Sequence, residues 1–285
     1  MTARQVIKLV QPEPVLEGAG VRLKRSIAGR ALDYLDPFLL LDHFGSDNPA
    51  DYLAGFPMHP HRGIETVTYM LAGVVRHEDS LGNAGEIGAG DVQWMTAGRG
   101  IMHEEMPRPL DGKNYGFQLW VNLPAKLKMC QPRYQEIPHA TIPEALLADG
   151  VRALVIAGQL GDVHGPVTDI AADPTYLDIT IPPGVVHALP VACGHTAFAY
   201  VFEGQGAFGE QAAASTSAIG APRLVVFGDG DEVVVRAGEG GVRFLLVSGK
   251  PLGDPIARYG PFVMNTRQEI MKALEDLRNG TFVQD

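Results

Sequence analysis

The chain has 285 residues, a formal net charge of −10, and 46% apolar against 20% charged residues. That length allows one large domain or two of ordinary size, and that apolar share excludes wholesale disorder. The acidic balance, with no basic cluster denser than Arg22-Leu23-Lys24-Arg25, argues against direct nucleic-acid binding, which needs clustered Lys and Arg to neutralise phosphates.

The opening residues Met1 to Gln5 lead into a short apolar stretch broken by Lys8, Gln11 and Pro12. It lacks the long apolar core of a signal peptide. No apolar run reaches the ~18 residues of a membrane span. Cys130 and Cys193 are far apart and form no CxxC motif, which fits a reducing compartment. A cytoplasmic protein without membrane contact is expected.

Along the chain, 34 Gly and 21 Pro separate short runs rich in Val, Ile, Thr, Phe and Tyr. This pattern predicts many short strands joined by tight turns. Thr66–Leu71, Gly116–Leu123 and Thr175–Ile181 are three such strands. The stretch from Leu123 to Pro143 carries Pro124, Pro132, Pro138 and Pro143 and reads as a connector. Ala212 to Ala218, all small residues, reads as a mobile surface loop. Near the end, Thr266-Arg267-Gln268-Glu269 is a capping box. Ile270, Leu274 and Leu277 follow at helical spacing, and Asn279-Gly280 supplies a stop.

An approximate internal repeat runs through these elements. Leu71-Ala72-Gly73-Val74 leads to Gly90-Asp91-Val92. About 130 residues later, Phe202-Glu203-Gly204-Gln205 leads to Gly228-Asp229-Gly230-Asp231. Each reads as strand, Gly turn, strand, then a Gly-Asp turn. The offset is about one β-barrel domain. A duplicated all-β protein is expected, divided into residues 1–135 and 142–285, the second part ending in the helix.

Chemistry concentrates in two short runs, His59-Pro60-His61 and His103-Glu104-Glu105. In a strand, residues i and i+2 point to one face. One strand thus offers two imidazoles and another an imidazole and a carboxylate. On neighbouring strands these converge as three His and one Glu, a set suited to Fe(II), Mn, Co, Ni, Cu or Zn. Glu105 needs no bend to join them, and Glu104 points the opposite way. Glu65 has the right strand parity, but four residues span about 13 Å, so it reaches the same point only if its strand bends sharply. The turn Gly98-Arg99-Gly100 would aim His103. His77, beside Glu78 and Asp79, suits a supporting or surface position. His43, His139, His164, His187 and His195 have no partner at ligand spacing and read as structural. The second half offers no His-x-His, so no metal set is expected there. There is no Gly-x-Ser-x-Gly elbow and no phosphate loop.

The run Gly55-Phe56-Pro57-Met58-His59-Pro60-His61-Arg62-Gly63-Ile64-Glu65-Thr66-Val67 resembles the signature of the pirin family. So do Gly90 to Glu105 and the tail Tyr259-Gly260-Pro261-Phe262-Val263-Met264-Asn265-Thr266. The resemblance covers nearly the whole chain. It implies two stacked cupin β-barrels, a bicupin, with one metal, usually iron, held in the N-terminal barrel by His59, His61, His103 and Glu105. It also implies a metal-dependent dioxygenase similar to quercetin 2,3-dioxygenases, cleaving a flavonol or related enol-bearing aromatic with O₂ to a depside and carbon monoxide. Glu105 is then the candidate catalytic base, and Phe56, Met58 and Trp94 are candidate walls, core packing being the plainer role for each. The rival expectation is a pirin-type regulatory protein that binds a metal and acts through protein partners without catalysis. A purely structural metal is a third reading, weakened by the lack of Cys near these ligands.

Overall fold

The computed structural model describes residues 2–108, 112–212, 214 and 217–283. Nearly all regular structure is β-strand, with one α-helix, Arg267–Asn279. Ala213, Ser215 and Thr216 of the expected small-residue loop lie outside the described residues, while its first member, Ala212, is buried.

Two compact units form, and they exchange their ends. Met1–Pro12 packs with Ala140–Pro251, and Leu252–Asp285 packs with Glu13–His139. The contiguous division expected from sequence places each terminal segment with the opposite partner. The cause is strand pairing and ion pairing remote in sequence. Val6–Val10 runs antiparallel to Arg223–Phe227. The buried Arg62 guanidinium donates to Asp276 of the C-terminal helix at 2.8 Å and to the Phe282 carbonyl at 3.2 Å.

In the unit holding Ala140–Pro251, one antiparallel sheet follows the order Val6–Val10, Arg223–Phe227, Thr196–Phe208, Glu232–Gly249, Thr175–Ile181, Arg152–Ala157, Glu144–Leu146. Its enclosed side chains are apolar, among them Leu177, Ile179, Val233, Val235 and Phe244. In the other unit, a seven-stranded sheet runs Arg133–Ile137, Val92–Thr96, Ile64–Ala72, Asn114–Asn122, Phe38–Ser46, Val21–Ile27, Glu13–Glu17. A four-stranded sheet runs Phe56–His61, Ile101–Arg108, Val74–Asp79, Ala84–Ile87. The expected connector therefore contains a strand, Arg133–Ile137, paired along Val92–Thr96.

The repeat seen in sequence has a steric basis. Gly73 and Gly204 both take positive φ, 84° and 68°. A Cβ on Gly73 would collide with the Lys113 carbonyl, and one on Gly204 with the Gly241 carbonyl. Each glycine lets two backbone segments meet closely, Gly73 between two strands and Gly204 at a register shift inside Thr196–Phe208.

The helix starts as its capping box requires. Thr266 Oγ1 accepts from the Glu269 amide at 3.2 Å, and Glu269 Oε2 accepts from the Thr266 amide at 2.8 Å. Gly280 closes it at φ 71°. Its inner face differs from the expected stripe. Ile270, Ala273 and Asp276 are buried, whereas Leu277 is 36% exposed. The helix turns this way because Asp276 meets Arg62, whose guanidinium also lies 4.3 Å from the Phe282 ring centre.

Removing one partner of a buried ion pair leaves the other charge uncompensated, at a cost of about 3–5 kcal/mol. Asp276→Ala should lower the unfolding free energy by that amount in urea titration. Lys272→Ala, which removes the exposed partner of the same carboxylate at 3.0 Å, should leave it nearly unchanged.

Candidate metal centre and its cavity

The antiparallel pairing of Phe56–His61 with Ile101–Arg108 sets His103 opposite His59 and Ile101 opposite His61. His59 and His61 share a face, so three imidazoles meet. Their ligand atoms lie within 4.8 Å of one another. Nε2 of His59 is 3.0 Å from Nε2 of His61, and the ring centres of His59 and His103 are 4.4 Å apart. The turn before His103 closes as expected, with Gly100 N donating to Ala97 O at 3.0 Å.

Between His103 and Glu105 the single residue Glu104 faces two of the other strand, Met58 and Pro57, because the register shifts there. Such a bulge re-aims side chains. It brings Phe56 opposite Glu105 and onto the cavity wall. Glu105 is buried, and Thr68 Oγ1 donates to its Oε1 at 2.9 Å. Glu104 is half-buried on the other face. Glu65 lies elsewhere. Its carboxylate accepts from Thr96 Oγ1 at 2.8 Å, and burial pushes its pKa up to about 7. Like Glu105, it is outside the three-His group; unlike Glu105, it does not line the cavity.

The donor set suits a divalent cation. His59 Nδ1 is 3.0 Å from the Pro57 carbonyl oxygen. That oxygen can only accept, so Nδ1 carries the proton and Nε2 presents a lone pair towards His61. Both ring nitrogens of buried His103 lack a hydrogen-bond partner among the described residues. Leaving such a group unsatisfied costs about 1–3 kcal/mol, a cost that a ligated metal would remove. All three rings are held in the neutral, ligating form. Burial, then His103, lowers His59. Burial, then His103 and His59, holds His61 well below the usual range. Burial, then His77, brings His103 to about 4.

A cavity of about 690 Å³ opens beside this group, lined by His59, His61 and Glu105. Phe56, Leu40 and Trp120 supply apolar wall. The Trp120 ring meets His61 edge-on at 5.2 Å. Of the walls proposed from sequence, Phe56 is in place. Met58 is 45% exposed, and Trp94 is buried in the core. Neither lines the cavity. The sequence reading does not single out Trp120, although its position in an alternating strand gives the parity needed to face inward. His77 is buried rather than at the surface, 2.9 Å from Glu136 and stacked on Tyr134.

A double-barrelled β protein with a three-imidazole centre in one barrel is a bicupin. Two pirin family models match the chain, the Pirin domain over residues 20–121 and the Pirin C-terminal cupin domain over 176–283. A Pseudomonas aeruginosa protein named "Putative quercetin 2,3-dioxygenase" is 47% identical over 282 residues, 97% of each chain. A Caulobacter vibrioides pirin-like protein is 45% identical, covering 99% of this chain and 100% of its own. The crystal structure of a quercetin 2,3-dioxygenase from Acinetobacter baumannii superposes with a TM-score of 0.88 at 37% identity, covering 98% of both chains. The chain belongs to the pirin family.

Depressed imidazole pKa values carry a pH signature. A His with a folded pKa below its unfolded value binds fewer protons when folded. Stability then rises with pH across the window between the two values. For His103 that window runs from about 4 to the ordinary 6.5. Metal-free protein should lose stability as pH falls from 6.5 towards 4, and His103→Gln should flatten that slope. Urea midpoints measured in chelator across this range test it, and an unchanged slope in the variant would refute the assignment.

Proposed function

We propose that the protein is a metal-dependent dioxygenase of the quercetinase type, acting on a flavonol or related enol-bearing aromatic with O₂. His59, His61, His103 and Glu105 would hold one divalent metal, Fe(II) first among the candidates. The observation that carries the reading is the cavity. A centre that served only to shape the barrel needs no such space, whereas this one has about 690 Å³ beside two of its imidazoles. That volume lies within the range of small-molecule sites. The likeness to proteins named as quercetin 2,3-dioxygenases supports the same chemistry.

When bound, the metal supplies a Lewis acid that lowers the pKa of a coordinated enol hydroxyl. The side chains do the rest. Phe56, Leu40 and Trp120 bind the flat rings and displace water from them. Glu105 accepts the enol proton. Thr68 Oγ1 lies 2.9 Å from Glu105 Oε1 and 2.9 Å from the Gln118 amide oxygen. This anchoring fixes one carboxylate oxygen and leaves Oε2 either to hold the metal or to take the enol proton.

Iron-loaded protein given quercetin should consume O₂ and release carbon monoxide. His59→Ala should bind less iron and lose at least about 100-fold in rate, since even residues behind a ligand are worth 10–100-fold. An iron-replete parent that consumes no O₂ would refute the dioxygenase reading and direct the search to protein partners.

A further inference from the structure

The cavity has a second group of polar residues besides the imidazoles and Glu105. It arises from one row of directly opposed residues in the seven-stranded sheet. Gln93 pairs with Thr68, Thr68 with Gln118, Gln118 with Asp42, and Asp42 with Arg25. Directly opposed residues share a face, so this is a polar stripe along the interior. It runs from Gln93 through Thr68, which holds Glu105, to Arg25. The neighbouring rows are apolar, with Leu23 opposite Phe44 on one side and Leu40 opposite Trp120 on the other.

At its far end the stripe is unevenly satisfied. Arg25 commits three of its five N–H donors to carboxylates. Nε and Nη2 donate to Asp42 at 2.8 and 2.7 Å, and Nη1 donates to Glu17 Oε1 at 2.6 Å. Two further groups retain unused capacity. Glu17 has one oxygen beyond its bond to Arg25, and its side chain is 40% exposed. Arg258 gives a single hydrogen bond, from Nη1 to the Leu39 carbonyl at 3.1 Å. Its guanidinium lies 5.0 Å from the Trp120 ring centre. Both residues line the cavity. Arg25 and Arg258 against Glu17 and Asp42 leave no formal net charge.

A carboxylate entering this end would face Glu17 and Asp42. An ammonium would face Arg25 and Arg258. A neutral hydroxyl suits both, accepting from Arg258 and donating to Glu17. We propose that this is a substrate-selecting seat for hydroxyl groups on the aromatic ring remote from the reacting enol. Arg258 and Glu17 then select polyhydroxylated over bare aromatic substrates. The inference rests on the proposed function for the reaction itself, but not for the binding.

Equilibrium binding of quercetin and galangin to the iron-loaded protein, followed without oxygen by calorimetry, separates the two. Galangin is the same flavonol without hydroxyls on the remote ring. It is the more apolar ligand, so burial alone would favour it. We expect quercetin to bind about tenfold more tightly, the equivalent of about 1.4 kcal/mol. Arg258→Met should remove that preference by weakening quercetin and leaving galangin within about twofold, while Arg258→Lys restores part of it, as retained charge predicts. Equal binding of the two ligands by the parent protein would overturn the seat, whatever the variants do. So would an equal loss for both in Arg258→Met. A tenfold preference without O₂ consumption from either flavonol would uphold the seat and refute the dioxygenase.

Discussion

The register between Phe56–His61 and Ile101–Arg108 governs the site. With His103 opposite His59, three imidazoles meet in a place where burial keeps them neutral. A slip of one residue would turn the histidines of the moved strand to the opposite face. The pairing must also work against its own product, because rings with unpartnered nitrogens are costly to bury. Packing elsewhere has to hold it. Arg62, directly after His61, is anchored to Asp276 and Phe282. Its carbonyl accepts from the Val263 amide at 3.1 Å. The C-terminal segment therefore fastens the end of the strand that presents the imidazoles.

The interior of this unit is sorted by rows. Successive inward positions on a strand lie two residues apart, so one apolar-to-polar change repeated at the same level on each strand makes a stripe. Arg25, Asp42, Gln118, Thr68 and Gln93 form such a stripe, with apolar rows beside it. Burial pushes the Asp42 pKa up to about 6, against its two bonds from Arg25 and the charges of Arg25 and Arg258. Trp120 joins the two ends, with its ring edge-on to His61 and under the Arg258 guanidinium.

The sequence shows the metal-type residues because their spacing is local. His59 and His61 on one strand, and His103 and Glu105 on another, need strand parity and nothing more. The capping box at Thr266 is local too, and it forms. What depends on pairing partners is not visible in the same way. Asp42 and Gln118 look like isolated polar residues in apolar strands, and their common row exists only through the register of three strands. Trp120 is hidden for the same reason, as is the pairing of Asp276 with Arg62, 214 residues away. The exchanged chain ends follow from such contacts. Helical spacing favours Leu277 for the buried face, but an ion pair sets the helix rotation instead.

The two units share their turn chemistry and differ in what they enclose. Gly73 and Gly204 serve the same close approach, yet the interior around Leu177, Val233 and Phe244 is apolar, while the other holds imidazoles, carboxylates and guanidinium groups. Each buried polar group in the latter must find a partner or remain a cost. Among the described residues, His61 and His103 of the metal-type cluster keep ring nitrogens without protein partners, and so do buried groups away from the cavity, the Tyr52 hydroxyl and the Asn114 amide among them. Other buried polar groups of this unit are well served. Lys128, for instance, is buried and donates to the Gly63 and Val263 carbonyls at 2.8 Å each. Departures from local satisfaction are expected where a fold gives up stability for function. At His61 and His103 the departure lies in the group of imidazoles beside the cavity, as expected if the missing partner is a metal.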